Sequence, residues 1–215
     1  AEGMKSKKNI MVLTPASLQI NFISELHKCG DKLYKQLQYW TFTRLNNNIE
    51  FFSSLSLPEE YIIKKKGAWM GDVTKASNFN NLKDNEQKSI NTQIENMIRE
   101  KYTNLNYNGG INNSKLKSIT ENGKINPFDN KVVIIDEAHN FVSRIVNKLP
   151  KKSVSEKKKT KPKAESISEK LYNYLLTAVN VRIVLLTGTP IINYPNEIGI
   201  LFNILRGFTT TWKIN

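Results

Sequence analysis

A single cysteine, Cys29, occurs in 215 residues. One thiol excludes an internal disulfide and any cysteine-based zinc site, and it fits a reducing, intracellular setting. Cys29 itself reads as a small buried residue rather than a nucleophile. Long apolar runs are missing as well. Runs such as Val132 to Ile135 and Ile183 to Leu186 are strand-sized and far short of the ~20 residues that span a bilayer. No membrane association through a spanning segment is therefore expected. The N-terminus is polar, without a visible signal peptide. It begins with Ala1 rather than Met, so a processed start or a piece of a longer chain is expected. Acidic residues are scarce, 19 against 32 Lys and Arg, for a formal charge of +13. Such an excess points to an anionic partner, with nucleic acid first and a membrane surface second. Lys (27), Asn (27) and Ile (23) dominate the composition. AT-rich coding sequence favours that trio, so coding bias accounts for part of the charge.

What is present reads as alternating strands and helices. Residues 9 to 14 form a short apolar strand stopped by Pro15. A helix follows from Ser17, with Leu18, Phe22, Ile23 and Leu26 on one face and Gly30 near its end. Residues 31 to 44 read as a second helix, with Leu33, Leu37 and Trp40 as its stripe. On that reading Tyr34, Tyr39, Trp40 and Phe42 are packing residues rather than a base-stacking platform. Residues 46 to 85 hold Pro58, Lys64-Lys65-Lys66, Gly67 and Gly71, and read as loops with one or two short elements. Gln87 to Tyr102 is an amphipathic helix through Ile90, Ile94, Met97 and Ile98. Thr103 to Tyr107 reads as a strand ended by Asn108-Gly109-Gly110. Val132-Val133-Ile134-Ile135 reads as a strand covered on both faces, with a helix from Ala138 to about Lys148. Eight lysines crowd Lys148 to Lys163, so 149–165 is expected to be a flexible Lys-rich insertion. Ser166 and Glu169 have capping-box spacing, opening a helix with Leu171, Tyr174, Leu175, Ala178 and Val179 inward. Arg182 to Leu186 is a further strand. A last helix, Asn196 to Leu205, presents Ile198, Leu201, Phe202 and Leu205. The pattern predicts one α/β domain, a mostly parallel sheet flanked by helices. Ligands of such sheets sit beyond the carboxyl ends of the strands. Thr14-Pro15, Asp136 to His139 and Thr187 to Pro190 all follow strand ends.

These three signatures have chemistry. Asp136-Glu137 after an apolar strand is the Walker-B arrangement. Phosphoryl transfer from a nucleoside triphosphate needs Mg²⁺ on the phosphate oxygens and an oriented water. Asp136 suits Mg²⁺, held through water, and Glu137 suits polarisation of the attacking water. His139 is placed to sense the γ-phosphate or to link to a neighbouring loop. The plain alternative is that Asp-Glu only caps a helix. A chance match to all four residues in a chain this long has odds of roughly one in a thousand. Thr187-Gly188-Thr189-Pro190 is a hydroxyl-rich turn able to exchange partners when a phosphate leaves; its alternative is an ordinary strand-to-helix turn. Thr14-Pro15-Ala16-Ser17 offers a hydroxyl and backbone amides to a backbone phosphate; its alternative is a Ser17 N-cap.

Together these residues resemble the first RecA-like domain of a superfamily 2 helicase or translocase, a P-loop NTPase fold. Val12-Leu13-Thr14-Pro15-Ala16-Ser17-Leu18 with Phe22 and Glu25-Leu26 resembles motif Ia. Asp136-Glu137-Ala138-His139 resembles motif II, the DEAH box. Leu185-Leu186-Thr187-Gly188-Thr189-Pro190-Ile191 with Asn193, Glu197 and Leu201-Phe202 resembles motif III in its Swi/Snf-type form. Tyr107-Asn108-Gly109-Gly110, Asn126-Pro127-Phe128-Asp129 and Asn140-Phe141-Val142-Ser143-Arg144 are similar to helicases of large DNA viruses, including the poxvirus early-transcription-factor helicase group. The resemblance covers most of residues 9 to 207. It implies ATP and Mg²⁺ as cofactors, with Mg²⁺ at Asp136 and water activation at Glu137. It implies coupling at His139, Thr187, Gly188 and Thr189, and nucleic-acid contact at Thr14, Pro15 and Ser17. The implied partner is nucleic acid, DNA favoured over RNA, with transcription machinery beside it. For a viral protein the implied location is a viral factory, virion or nucleus.

The family's Gly-Lys-Thr or Gly-Lys-Ser loop does not occur in the sequence; in the family it precedes motif Ia, and would fall upstream of Ala1. The second RecA-like domain would follow Asn215. The reading is therefore an N-terminally incomplete domain of an ATP-hydrolysing parent. The rival is a non-catalytic nucleic-acid or transcription-complex binding module on a degenerate RecA-like domain. On the first reading the purified 215-residue chain shows no nucleic-acid-stimulated ATP hydrolysis in a phosphate-release assay, and robust turnover would contradict it.

Overall fold

The computed structural model describes residues 8–46, 49–148 and 165–207. The chain divides into two compact units, Leu18–Thr103 and a second made of Ala1–Ser17 with Asn104–Asn215. The α/β unit is thus interrupted in sequence after its first strand. The Lys-rich insertion falls outside the described residues except for Glu165.

The α/β unit is built on a four-stranded sheet in the order β4 (Tyr102–Asn106), β1 (Ile10–Thr14), β5 (Val132–Ile135), β6 (Arg182–Leu185). Strands β1, β5 and β6 run parallel, with Leu13 level with Ile135 and Ile135 level with Leu185. All five residues of β1 are buried, as its apolar run requires of an inner strand. In β5, Val133 and Ile135 are fully buried while Val132 and Ile134 are half-covered. Strand β6 ends the sheet among the described residues, and its Val184 is 42% exposed. The cover on both faces expected of Val132–Ile135 is therefore only partial.

Three helices of this unit pack together: α5 (Ala138–Val146), α6 (Ile167–Thr177) and α7 (Asn196–Arg206). Ala138, Phe141, Val142 and Ile145 form the buried stripe of α5, at the spacing one helical face demands. The Ser166–Glu169 capping box is present, with Glu169 N donating to Ser166 Oγ and Ser166 N to the Glu169 carboxylate. Helix α6 buries Leu171, Tyr172 and Leu175. It ends at Thr177, so Val179 is exposed rather than inward. Helix α7 buries Glu197, Ile200, Leu201 and Ile204 and exposes Ile198, Phe202 and Leu205. Its inward face is turned by one residue, ~100°, from the apolar stripe read in the sequence. A short helix, α4 (Asn113–Ile119), was not anticipated; Asn112 caps it by accepting from Lys115 N at 2.8 Å.

The other unit, Leu18–Thr103, carries α1 (Gln19–Cys29), β2 (Tyr39–Arg44), α2 (Glu59–Lys65), β3 (Gly67–Asp72) and α3 (Asp84–Lys101). Leu18 rather than Ser17 occupies the cap of α1, with no side-chain cap bond, and α1 buries none of its residues fully. Cys29 is exposed, against expectation. Residues 31 to 44 are not a helix: a 3₁₀ turn at Lys32–Tyr34 leads into β2. Trp40 and Phe42 on one side against Tyr39, Thr41 and Thr43 on the other is a period of two, and β-branched and aromatic residues favour it. Strand β2 pairs antiparallel with β3, Trp40 opposite Gly71 and Phe42 opposite Trp69. Two side-chain amides then continue this small sheet sideways. Asn78 accepts from Trp40 N at 2.8 Å and donates to Trp40 O at 3.0 Å. Gln93 accepts from Trp69 N and donates to Trp69 O, both at 2.8 Å.

Gln93 is 1% exposed, so its removal strands two buried backbone groups. Gln93→Ala should cost about 1–3 kcal/mol of this unit's stability. The exposed Gln36→Ala should cost within about 0.5 kcal/mol. Urea unfolding followed by tryptophan fluorescence checks both.

Candidate functional site

The backbone carries the three signatures to one edge. Asp136 N donates to Leu13 O, Leu186 N to Ile135 O, and Ala138 N to Leu186 O, each at 2.9 Å. These bonds continue the parallel ladder past the strand ends. Thr14, Asp136 and Thr187 thereby follow three adjacent strands at their carboxyl ends.

At the middle strand, Glu137 turns the chain with φ 48° and ψ 49°, a left-handed conformation uncommon for a side chain of this kind. Asp136 Oδ1 accepts from Glu137 N at 3.0 Å. Glu137 occupies the cap position of α5 and makes no side-chain cap bond. Its side chain is 38% exposed. Among the described residues no lysine or arginine pairs with either carboxylate.

His139 joins this turn to the loop after β6. Its Nδ1 lies 2.8 Å from Thr187 Oγ1, 3.3 Å from Glu137 Oε2 and 3.4 Å from Thr189 Oγ1. Thr189 N also donates to Thr187 Oγ1 at 3.2 Å. These contacts tie His139 to the loop after β6. Gly188 has open space where a Cβ would stand, and no packing constraint accounts for a glycine there.

The first strand end is closed differently. Thr14 is fully buried and donates to Asn106 Oδ1 at 3.3 Å. Pro15 is buried as well, while Ala16 and Ser17 are exposed. Ser17 lies in a 3₁₀ turn and caps no helix; the Ala16 amide instead donates to Asn108 Oδ1 at 2.7 Å. Of the three candidate contact residues, Ser17 alone faces outward.

A second polar cluster lies one turn along α5. Glu197 Oε1 accepts from the Ser143 hydroxyl in a short hydrogen bond and from Asn193 Nδ2 at 3.4 Å. Glu197 Oε2 accepts from the amides of Ile192 at 2.7 Å and Asn193 at 3.2 Å. Glu197 is 1% exposed. Burial alone would raise its carboxyl, but the Ser143 hydroxyl and the two amides outweigh it and hold the group below its ordinary 4.5. Ser143, Asn193 and Glu197 entered the sequence reading only as wording of the resemblance. Nothing local in the sequence shows that they meet.

Mg²⁺ takes one or two carboxylates and keeps several waters beside its phosphate ligands. Asp136 and Glu137 fit that donor set. Among the described residues no group of three His, Cys, Asp or Glu gathers to hold a metal unaided. No described helix is long and apolar enough to cross a membrane. A cavity of about 380 Å³ lies between α4 and α6, lined in part by Lys117, Lys170 and Tyr174, and includes none of the candidate residues.

No family model matches the chain. It is 28% identical over 206 residues, 95% of its length, to a protein of Acanthamoeba polyphaga mimivirus named as an ATP-dependent RNA helicase, covering 26% of that protein. A second mimivirus protein named in the same way is 37% identical over 73 residues, 34% of this chain and 8% of the relative. A homolog of the termination factor NPH-I from African swine fever virus is 38% identical over 76 residues, 35% of this chain and 9% of the relative. The chain thus spans about a quarter or less of the length of these curated relatives.

The Glu197 cluster gives a pH prediction. Its carboxyl is depressed in the folded state, so its stabilisation is present above about pH 4.5 and lost as pH falls through the folded value. Glu197→Gln should lower stability at pH 7 by about 1–3 kcal/mol and flatten its decline on acidification. Urea midpoints of both proteins at several pH values test this; equal declines would acquit Glu197.

Proposed function

We propose that this chain is the first RecA-like domain of an ATP-dependent nucleic-acid helicase or translocase of superfamily 2, with a DEAH box and Swi/Snf-type motif III, from the viral helicase group. The carrying observation is the contact of His139 Nδ1 with Thr187 Oγ1 at 2.8 Å, which joins two strand-end motifs that lie far apart in sequence. Similarity along 95% of the chain to a protein named as an ATP-dependent RNA helicase supports the reading. Its names and that of the termination factor are the basis for a viral, transcription-related assignment.

In this reading ATP lies across the carboxyl edge of β5 and β6. Bound Mg²⁺ supplies positive charge to the phosphates, and Asp136 would hold it, with Glu137 beside it. The Glu137 carboxylate, half-exposed and without a cationic partner, takes the proton of the attacking water as it is polarised. His139 holds that carboxylate and the two threonine hydroxyls in one cluster. A change at the phosphate thereby shifts the Thr187–Pro190 loop. The Thr14–Ser17 turn faces the nucleic-acid backbone, with Ser17 and Ala16 as its accessible members. The strand is DNA or RNA, and the RNA helicase names of the mimivirus relatives support RNA.

The test uses the intact protein expressed from the full reading frame. Glu137→Gln should lower nucleic-acid-stimulated ATP turnover by about 10²- to 10⁴-fold with nucleotide affinity, read by fluorescence titration, nearly constant. Unchanged turnover would remove Glu137 from this role. An intact protein that binds nucleic acid and turns over no ATP would favour the binding-module reading.

A further inference from the structure

Tyr107 has no role in the scheme above, yet it stands at the centre of the site's backbone. It follows β4, the strand on the far side of β1 from β5. Its side chain crosses that distance. The hydroxyl lies 3.0 Å from Asp136 O and 3.0 Å from Glu137 O, sharing its one proton between them. The ring is 6% exposed and packs on Phe141 of α5, centroids 5.4 Å apart. The residues on either side of Tyr107 reach the first strand end: Asn106 accepts from Thr14 Oγ1 and Asn108 from Ala16 N. Three consecutive residues thus hold two of the three motif turns.

We propose that Tyr107 is a positioning residue that clamps the Asp136–Glu137 turn, and that Asn106–Asn108 tie that turn to the Thr14–Ala16 turn. The proposal rests on the ATPase reading for its functional consequence, though the clamp itself is geometric. Its physical basis is the conformation of Glu137. A left-handed glutamate persists only where its surroundings over-determine it. Tyr107 supplies that constraint by binding the carbonyls on both sides of the Glu137 Cα. Burial and the carboxylates of Asp136 and Glu137 push the phenol well above its usual range, so the hydroxyl stays a donor at working pH. The hydroxyl bonds backbone only, so it acts on Glu137 through orientation and on no reacting atom.

Tyr107→Phe keeps the ring and removes the clamp. In the intact protein kcat for ATP should fall about ten- to a hundredfold, as expected of a displaced catalytic group, with KM for ATP within about twofold. In the 215-residue chain, hydrogen exchange at the Ala138 amide should speed up about tenfold or more while the amides of β1 keep their rates. Unchanged exchange and unchanged kcat would overturn the proposal. Faster exchange in a chain whose intact wild-type parent hydrolyses no ATP would leave the clamp standing and remove the ATPase reading. If Tyr107→Phe does not fold, the wild-type chain decides: the clamp requires the Ala138 amide to open only with global unfolding, and local opening overturns it.

Discussion

The extension of the parallel ladder past the ends of β1, β5 and β6 is the constraint on which the site depends. Asp136 N on Leu13 O, Leu186 N on Ile135 O and Ala138 N on Leu186 O leave no freedom of register. A slip of one residue would turn every side chain to the opposite face. Asp136 would exchange places with Ile135, and a buried unpaired carboxylate would stand where an isoleucine now packs. The hydrophobic alternation of Val133 and Ile135 therefore fixes the position of the carboxylates as firmly as any polar contact.

Two carboxylates on one helix pair illustrate opposite solutions to the same electrostatic problem. Glu197 is buried, which alone penalises its charge; a hydroxyl and two backbone amides restore what water no longer provides. Glu137 stands in the open turn with His139 Nδ1 3.3 Å from its carboxylate. The first arrangement is self-sufficient and structural. The second leaves oxygen lone pairs for a ligand. Glu197 also explains the face of α7. Its network outranks the apolar stripe of Ile198, Phe202 and Leu205, and the helix turns accordingly.

That rotation marks where sequence reading stops. Strands β1, β5 and β6 were legible because each is a local apolar run, and the capping box of α6 because its spacing is local. The strand-end location of Asp136, His139 and Thr187 followed from topology alone. The pairing of β2 with β3 was not legible, because Trp40 owes its strand conformation to partners at Gly71 and Asn78. Leu33, Leu37 and Trp40 matched a helical period by coincidence. The Ser17 cap failed for a similar reason: Leu18 takes the cap position of the helix it was to open, and Asn108, distant in sequence, takes the neighbouring Ala16 amide. The contact made by Tyr107 left no local signal, since its two acceptors are backbone carbonyls that any sequence possesses.

The site is also unequally held. Asp136 follows an inner strand, bonded to β1 on one side and β6 on the other, and the turn that follows it carries backbone strain of about 1–3 kcal/mol against a buried phenol. Thr187 follows β6, which is flanked on one side only among the described residues and leaves Val184 and Leu186 near half exposure. Opening free energies scale with such local burial and bonding, so the β6 loop is the cheaper of the two to move. Its side-chain ties to the turn are two threonine hydroxyls on one imidazole nitrogen, each exchangeable for another acceptor at small cost. A loop that answers to a nucleotide must change partners while the carboxylates hold still. On the proposed reading, the described fold has one strand end for each task.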